Sequence, residues 1–194
     1  MAGESGRQEL AGYRARLETV RVRVRDEFGD LSDEDLDRRP EDGGWSIAEC
    51  ARHVTIVNVE YLDGIEKAVQ DGRAAGRRAD GPFRYGRFGT WFVNQLEPTA
   101  TRRLKAPKPA QPPHEQGGRA WMTDLDASFV RLDAALTAAE GLDLARIKVT
   151  SPLFRMLRFQ LGIALRLLVV HSDRHSVQMQ RVLARTGRHQ GAHS

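Results

Sequence analysis

The sequence predicts an all-α fold: a bundle of four long helices, with a long basic, proline-rich insert between the second and the third. Three observations carry this reading. Apolar residues recur at spacings of three and four along four stretches. Capping residues and glycines punctuate those stretches. Pro107, Pro109, Pro112 and Pro113 gather in one segment between them, where they forbid regular structure.

The first helix is expected over about 6–28, where Leu10, Tyr13, Leu17, Val24 and Phe28 form an apolar stripe and Gly29 ends it. An acidic stretch, 31–39, opens with Ser32 and Asp35 in capping-box spacing and stops before Pro40, giving one or two turns. The second long helix has the clearest start in the chain. Ser46 can cap its amides while Glu49 reaches back, and Trp45 can staple against Cys50. It should run to about residue 70, with Ile47, Cys50, His53, Val54, Val57, Tyr61 and Ile65 inside, before Gly72 breaks it. Within the insert, about 72–118, residues 90–96 could form a short helix. A third long helix is expected over about 119–140, carrying Trp121, Leu125, Phe129, Leu132 and Leu136 inward. After a short connector at 147–150, the fourth covers about 159–184; its first half is apolar nearly all round, as a helix between neighbours requires.

At 194 residues the chain fits one domain, read as 1–194. Its 40% apolar and 29% charged content exclude fibrous and disordered classes. A single cysteine, Cys50, excludes an intrachain disulfide framework and points to the cytoplasm. No apolar leader segment stands at the N-terminus, and no apolar run approaches the roughly 20 residues of a membrane span, so no membrane role is expected. The net charge of +4 is uneven. Residues 72–108 hold nine basic side chains against Asp80 and Glu97, a local +7. Those basic side chains are Arg73, Arg77, Arg78, Arg84, Arg87, Arg102, Arg103, Lys105 and Lys108. Such a segment either holds an anionic ligand or is merely solvated. Nucleic-acid binding is the weaker reading, because Phe83, Tyr85, Phe88, Trp91 and Phe92 are equally well spaced to pack the insert onto the bundle.

His171 and His175 stand four residues apart, so both side chains leave one face of the fourth helix with about 6 Å between their Cα atoms along its axis. They continue the apolar row Ala164, Leu168, Gln178 and Val182. Such a pair can bite one metal ion; equally, a histidine on an apolar face can be a hydrogen-bonded core residue. Asp173 and Arg174 fill the pair, so the HExxH arrangement with its adjacent glutamate base is absent. His53 lies in the buried sector of the second helix and makes a third ligand available. Gln178, one turn beyond His175, could hydrogen-bond a coordinating imidazole or a facing helix. Cys50 suits packing better than ligation. His114, His189 and His193 lie in proline-rich or terminal segments and are expected in solvent.

The run Trp45-Ser46-Ile47-Ala48-Glu49 followed by His53, together with His171-Ser172-Asp173-Arg174-His175-Ser176-Val177-Gln178, resembles the DinB-like, YfiT-related metalloprotein family. The resemblance covers nearly the whole chain in element order, and these two motifs are its specific part. It implies an up-down-down-up four-helix bundle whose second and fourth helices supply one and two histidines to a divalent metal. Three imidazoles with one open position are typical of catalytic rather than structural zinc, and imidazole also suits nickel, iron and copper. Some relatives look like thiol-dependent S-transferases using a low-molecular-weight thiol, others like metal-dependent hydrolases. A metal-dependent enzyme with a small-molecule substrate is therefore expected, Arg84, Arg87 or Lys105 meeting an anionic group. The alternative is a non-catalytic stress-response or binding protein stabilised by its metal. A homodimer is in keeping with the resemblance. No carboxylate stands out as a general base.

Overall fold

The computed structural model describes residues 5–41, 43–100, 105–113, 115–154 and 156–187. Four long helices dominate: α1 (Gly6–Phe28), α3 (Ile47–Ala74), α5 (Gly118–Ala138) and α6 (Leu161–Thr186). The short α2 (Asp33–Asp37) and α4 (Arg87–Asn94) lie in the connections. The predicted capping box Ser46 with Glu49 opens α3, and an unpredicted second one, Ser5 with Gln8, opens α1.

Polar links between the helices define their directions. Arg52, Asn58 and Arg131 join α3 to α5 in the pairs Arg52–Asp124, Asn58–Ser128 and Arg131–Asp63, so the two helices advance together and are parallel. Arg14–Asp133 and Arg21–Asp126 run in opposite order, so α1 and α5 are antiparallel. Arg16–Asp173 and Gln180–Glu27 advance together, so α1 and α6 are parallel. The topology is therefore up-down-down-up, with α3 and α6 antiparallel across the site. This explains the long insert in physical terms. Two consecutive parallel helices need a connection that returns the length of α3, about 40 Å for its 28 residues.

That crossover, residues 75–117, packs α4 onto α6, which is why α6 is apolar all round at Leu161, Ile163, Ala164, Leu165, Leu167 and Leu168. At Gly162 a side chain would collide with the Tyr85 hydroxyl, so the crossover approaches α6 through glycine. Phe83, Tyr85 and Phe92 pack against the core as expected, but Phe88 and Trp91 stay about half exposed.

Several boundaries differ from expectation. α3 continues past residue 70 to Ala74, because Gly72 lies against Ile147 where a side chain would clash, and Arg73 donates to the Ala138 carbonyl. The short helix starts at Arg87 rather than Thr90. The proline-rich stretch holds one 3-10 turn, Lys108–Ala110, since proline fits the first helical positions. The connector at 147–150 and the expected start of the fourth helix form a two-stranded antiparallel sheet, β1 (Lys148–Thr150) with β2 (Arg158–Gln160). Val149 and Phe159, opposite one another, face inward. His114, His189, His193, Arg102 and Arg103 lie outside the described residues.

Candidate metal centre

The antiparallel crossing of α3 and α6 brings His53, His171 and His175 together, 3%, 7% and 9% exposed respectively. Their ring centroids are 4.5–4.9 Å apart, and one ligating atom from each lies within 4.8 Å of the others. Among the described residues no carboxylate or thiol joins the group. Cys50 packs in the core a turn before His53, and burial pushes its thiol far above the usual range.

The tautomer of His53 follows from its partner. The Ala110 carbonyl, 2.6 Å from His53 Nδ1, can only accept, so Nδ1 carries the hydrogen and Nε2 presents a lone pair inward. That Nε2 is 3.1 Å from His171 Nε2. Two nitrogens on one tetrahedral zinc would lie about 3.4 Å apart. If His171 donates Nε2–H into this contact, its own Nδ1 becomes a bare acceptor in the core, and Nδ1 of both His171 and His175 is indeed buried with no partner. Orphaned buried nitrogens cost about 1–3 kcal/mol each. The donor set therefore fits a cation.

Protonation agrees with this fit. Burial drives His171 and His175 well below the usual histidine range, and for both the positive charge of Arg174 acts in the same direction. Burial also lowers His53, partly opposed by the Ala110 carbonyl. All three imidazoles are neutral at pH 7, the form a metal requires. Gln178, one turn beyond His175, acts in the opposite sense and favours the protonated form of that ring.

Three features of the surroundings had no local sequence signal. Trp45 lies over the trio, its ring 4.8 Å from His53 and 6.3 Å from His175 between centroids. The neighbouring carboxylates are occupied elsewhere: Glu49 pairs with Arg39, and Asp173 with Arg16 and Arg23. Arg174 donates to the carbonyls of Glu97, Ala100 and Gln95 at 3.0–3.5 Å.

The predicted anion-binding cations divide. Around Arg84 the chain is anchored to Gln160, which donates to the Arg84 carbonyl and accepts from Gly86 N–H. Gln160 stands at the N-terminus of α6, eleven residues before His171, roughly 16 Å along the axis. Arg84 and Arg87 are thus exposed far from the imidazoles, whereas the exposed Lys105 lies five residues before Ala110. Two surface grooves, of about 300 and 370 Å³, lie at other places, one lined by Leu10, Phe83 and Leu142, the other by Val24, Met122 and Phe129.

No curated protein matches the chain. Among solved structures it is similar to YfiT from Bacillus subtilis, described as a probable metal-dependent hydrolase with an unusual four-helix bundle topology. The two share 18% identity over 97% of this chain and 93% of that one, with a TM-score of 0.59, a likeness of fold. The DinB superfamily matches residues 16–179, a span that contains all three histidines, the whole of α3 and α5, and most of α1 and α6. This chain belongs to the DinB superfamily.

Proposed function

We propose that the protein is a divalent-metal-dependent enzyme of the hydrolase or thiol S-transferase type, with His53, His171 and His175 as ligands and zinc as the best-suited ion. The observation that carries this reading is the set of three neutral buried imidazoles, two with orphaned Nδ1 atoms and, among the described residues, none joined by a carboxylate. A three-histidine set leaves one coordination position for a ligand from outside. When bound there, the ion supplies Lewis acidity, polarising a carbonyl or stabilising a thiolate.

The chain's own groups do the rest. Ala110 orients His53 through its carbonyl. Trp45 supplies an apolar wall that keeps water from that side. Cys50 is no nucleophile, because burial keeps it a thiol, so any thiol reaction takes its thiol from a second substrate. Lys105 is the cation best placed by chain position to meet an anionic group. A second reading is favoured by the enclosure of the trio: a metal that ties α3 to α6 in a non-catalytic stress-response or binding protein.

Elemental analysis of purified wild type, His53→Ala and His171→Ala, followed by titration with azide, separates these readings. About one equivalent of metal, lost in both variants and shifted spectrally by azide on cobalt substitution, supports the enzyme. Bound metal that ignores azide supports the structural role, and a wild type that takes up no metal defeats both.

A further inference from the structure

The crossover meets the histidines at two places. Its 3-10 turn Lys108–Ala110 ends with the Ala110 carbonyl on His53, in a position fully buried against α3. The stretch after α4 is held by α6 itself: Arg174, next to His175, reaches three of its carbonyls, those of Gln95, Glu97 and Ala100. Glu97 receives Arg16 and Arg166 as well, at 2.6 and 3.1 Å, and Asn94 accepts from Arg166 at 2.9 Å. The residues between the two α6 ligands thus carry no ligand role of their own. Asp173 grips α1 and Arg174 grips the crossover, while the crossover sets the proton on the third ligand.

We propose that the crossover is the positioning element of the histidine cluster: the Ala110 carbonyl fixes His53 as its Nδ1–H tautomer, with Nε2 toward His171 and His175. Arg174 is the positioning residue that keeps the crossover seated there. The inference rests on the trio being the metal centre, and deepens it by giving that centre a dependence on a segment that supplies no ligand. A carbonyl partner on the second nitrogen of a ligating histidine is worth 10–100-fold in metal affinity. Electrostatics alone predicts the reverse for Arg174, since removing a positive charge beside a dication should tighten binding. The two effects therefore have opposite signs.

The test uses the full chain labelled with 15N-histidine, read by long-range proton–nitrogen correlation without metal, and zinc affinity by competition with a chromophoric chelator. In wild type His53 is expected as the Nδ1–H tautomer. Arg174→Met, and Pro107→Gly with Pro109→Gly to loosen the turn, are expected to mix the tautomers and weaken zinc binding about 10-fold. Arg174→Lys, whose ammonium can donate to three carbonyls, should restore both readings. An Nε2–H tautomer in wild type overturns the proposal, as does undiminished zinc affinity in a well-folded Arg174→Met. Should wild type bind no zinc yet lose its tautomer preference in the variants, the positioning contact stands and the metal reading alone fails.

Discussion

On α6 the side chains of Asp173 and Ser176 point toward α1 and end in hydrogen bonds, whereas His171 and His175, on the face toward α3, keep buried Nδ1 atoms bare. Asp173 accepts from Arg16 at 2.9 Å and from Arg23 at 2.7 Å; Ser176 accepts from the same Arg23 at 2.6 Å and donates to the Asp173 carbonyl. The two faces are separated by two residues, about 200° of helix rotation, and both are shielded from water. Burial alone thus does not predict whether a polar group is satisfied. The α1 face is an assembly contact in which each charge has its partner; the α3 face withholds partners at a cost in stability, which is where a ligand would give the largest return.

The largest expected break of this contrast is His175→Leu. Zinc affinity should fall by at least about 100-fold with the loss of a ligand, measured by chelator competition. The metal-free fold should become more stable by about 1 kcal/mol in urea, because an orphaned nitrogen is replaced by an apolar group of similar size. A metal-free His175→Leu less stable than wild type would show that the inner face is satisfied after all. On the other face, Asp173→Asn should lower the unfolding free energy of both metal-free and metal-bound protein by about 1–3 kcal/mol, since it leaves Arg23 without a carboxylate and Arg16 with Glu97 alone. If the loss appears only in the metal-bound form, Asp173 acts through the histidines rather than between the helices.

Acid sharpens the comparison. His171 and His175 have folded pKa values below 6.5, their value in the unfolded chain, so the unfolded state takes up protons first. Stability of the metal-free protein is therefore full above about pH 6.5 and declines as pH falls below it, by up to about 1.4 kcal/mol per pH unit for each histidine. Urea melts at pH 7.5, 6.5 and 5.5 measure the slope, and a flat profile would show that the histidines are already protonated or exposed. Glu97 acts over a different range: burial raises its pKa, but Arg16 and Arg166 outweigh this and leave it lowered, so its contribution is lost only under stronger acid. The smallest effect is expected at Gln178→Ala, a fall of about 10-fold in metal affinity with little change in stability.

The histidine trio was legible because its signals are local: a 3.6-residue period places His53, His171 and His175 on inward rows, and the Ser46–Glu49 box sets where α3 begins. Gly29, which ends α1, was legible for the same reason. What escaped reading depends on partners far apart in the chain. Ala110 acts through a backbone carbonyl, for which any residue type would serve. Asp173 and Arg174 could be seen to exclude a glutamate base, but not to choose α1 and the crossover. Strands of three residues are too short to show a period of two, so in the sequence β1 and β2 look like a connector and a helix start. Arg84 and Arg87 followed the charge count of their segment, which carries no information about distance from the imidazoles.

Trp45 has a practical consequence of its own. Its indole overlies His53 and His175, while Trp91 sits half exposed on the crossover and Trp121 is buried in α5. The protein thus carries an intrinsic fluorophore at the histidines and two others elsewhere. Copper or nickel held by the trio would quench one emitter of the three, so occupancy, exchange rate and competition between ions could be followed by light alone, on the unmodified chain.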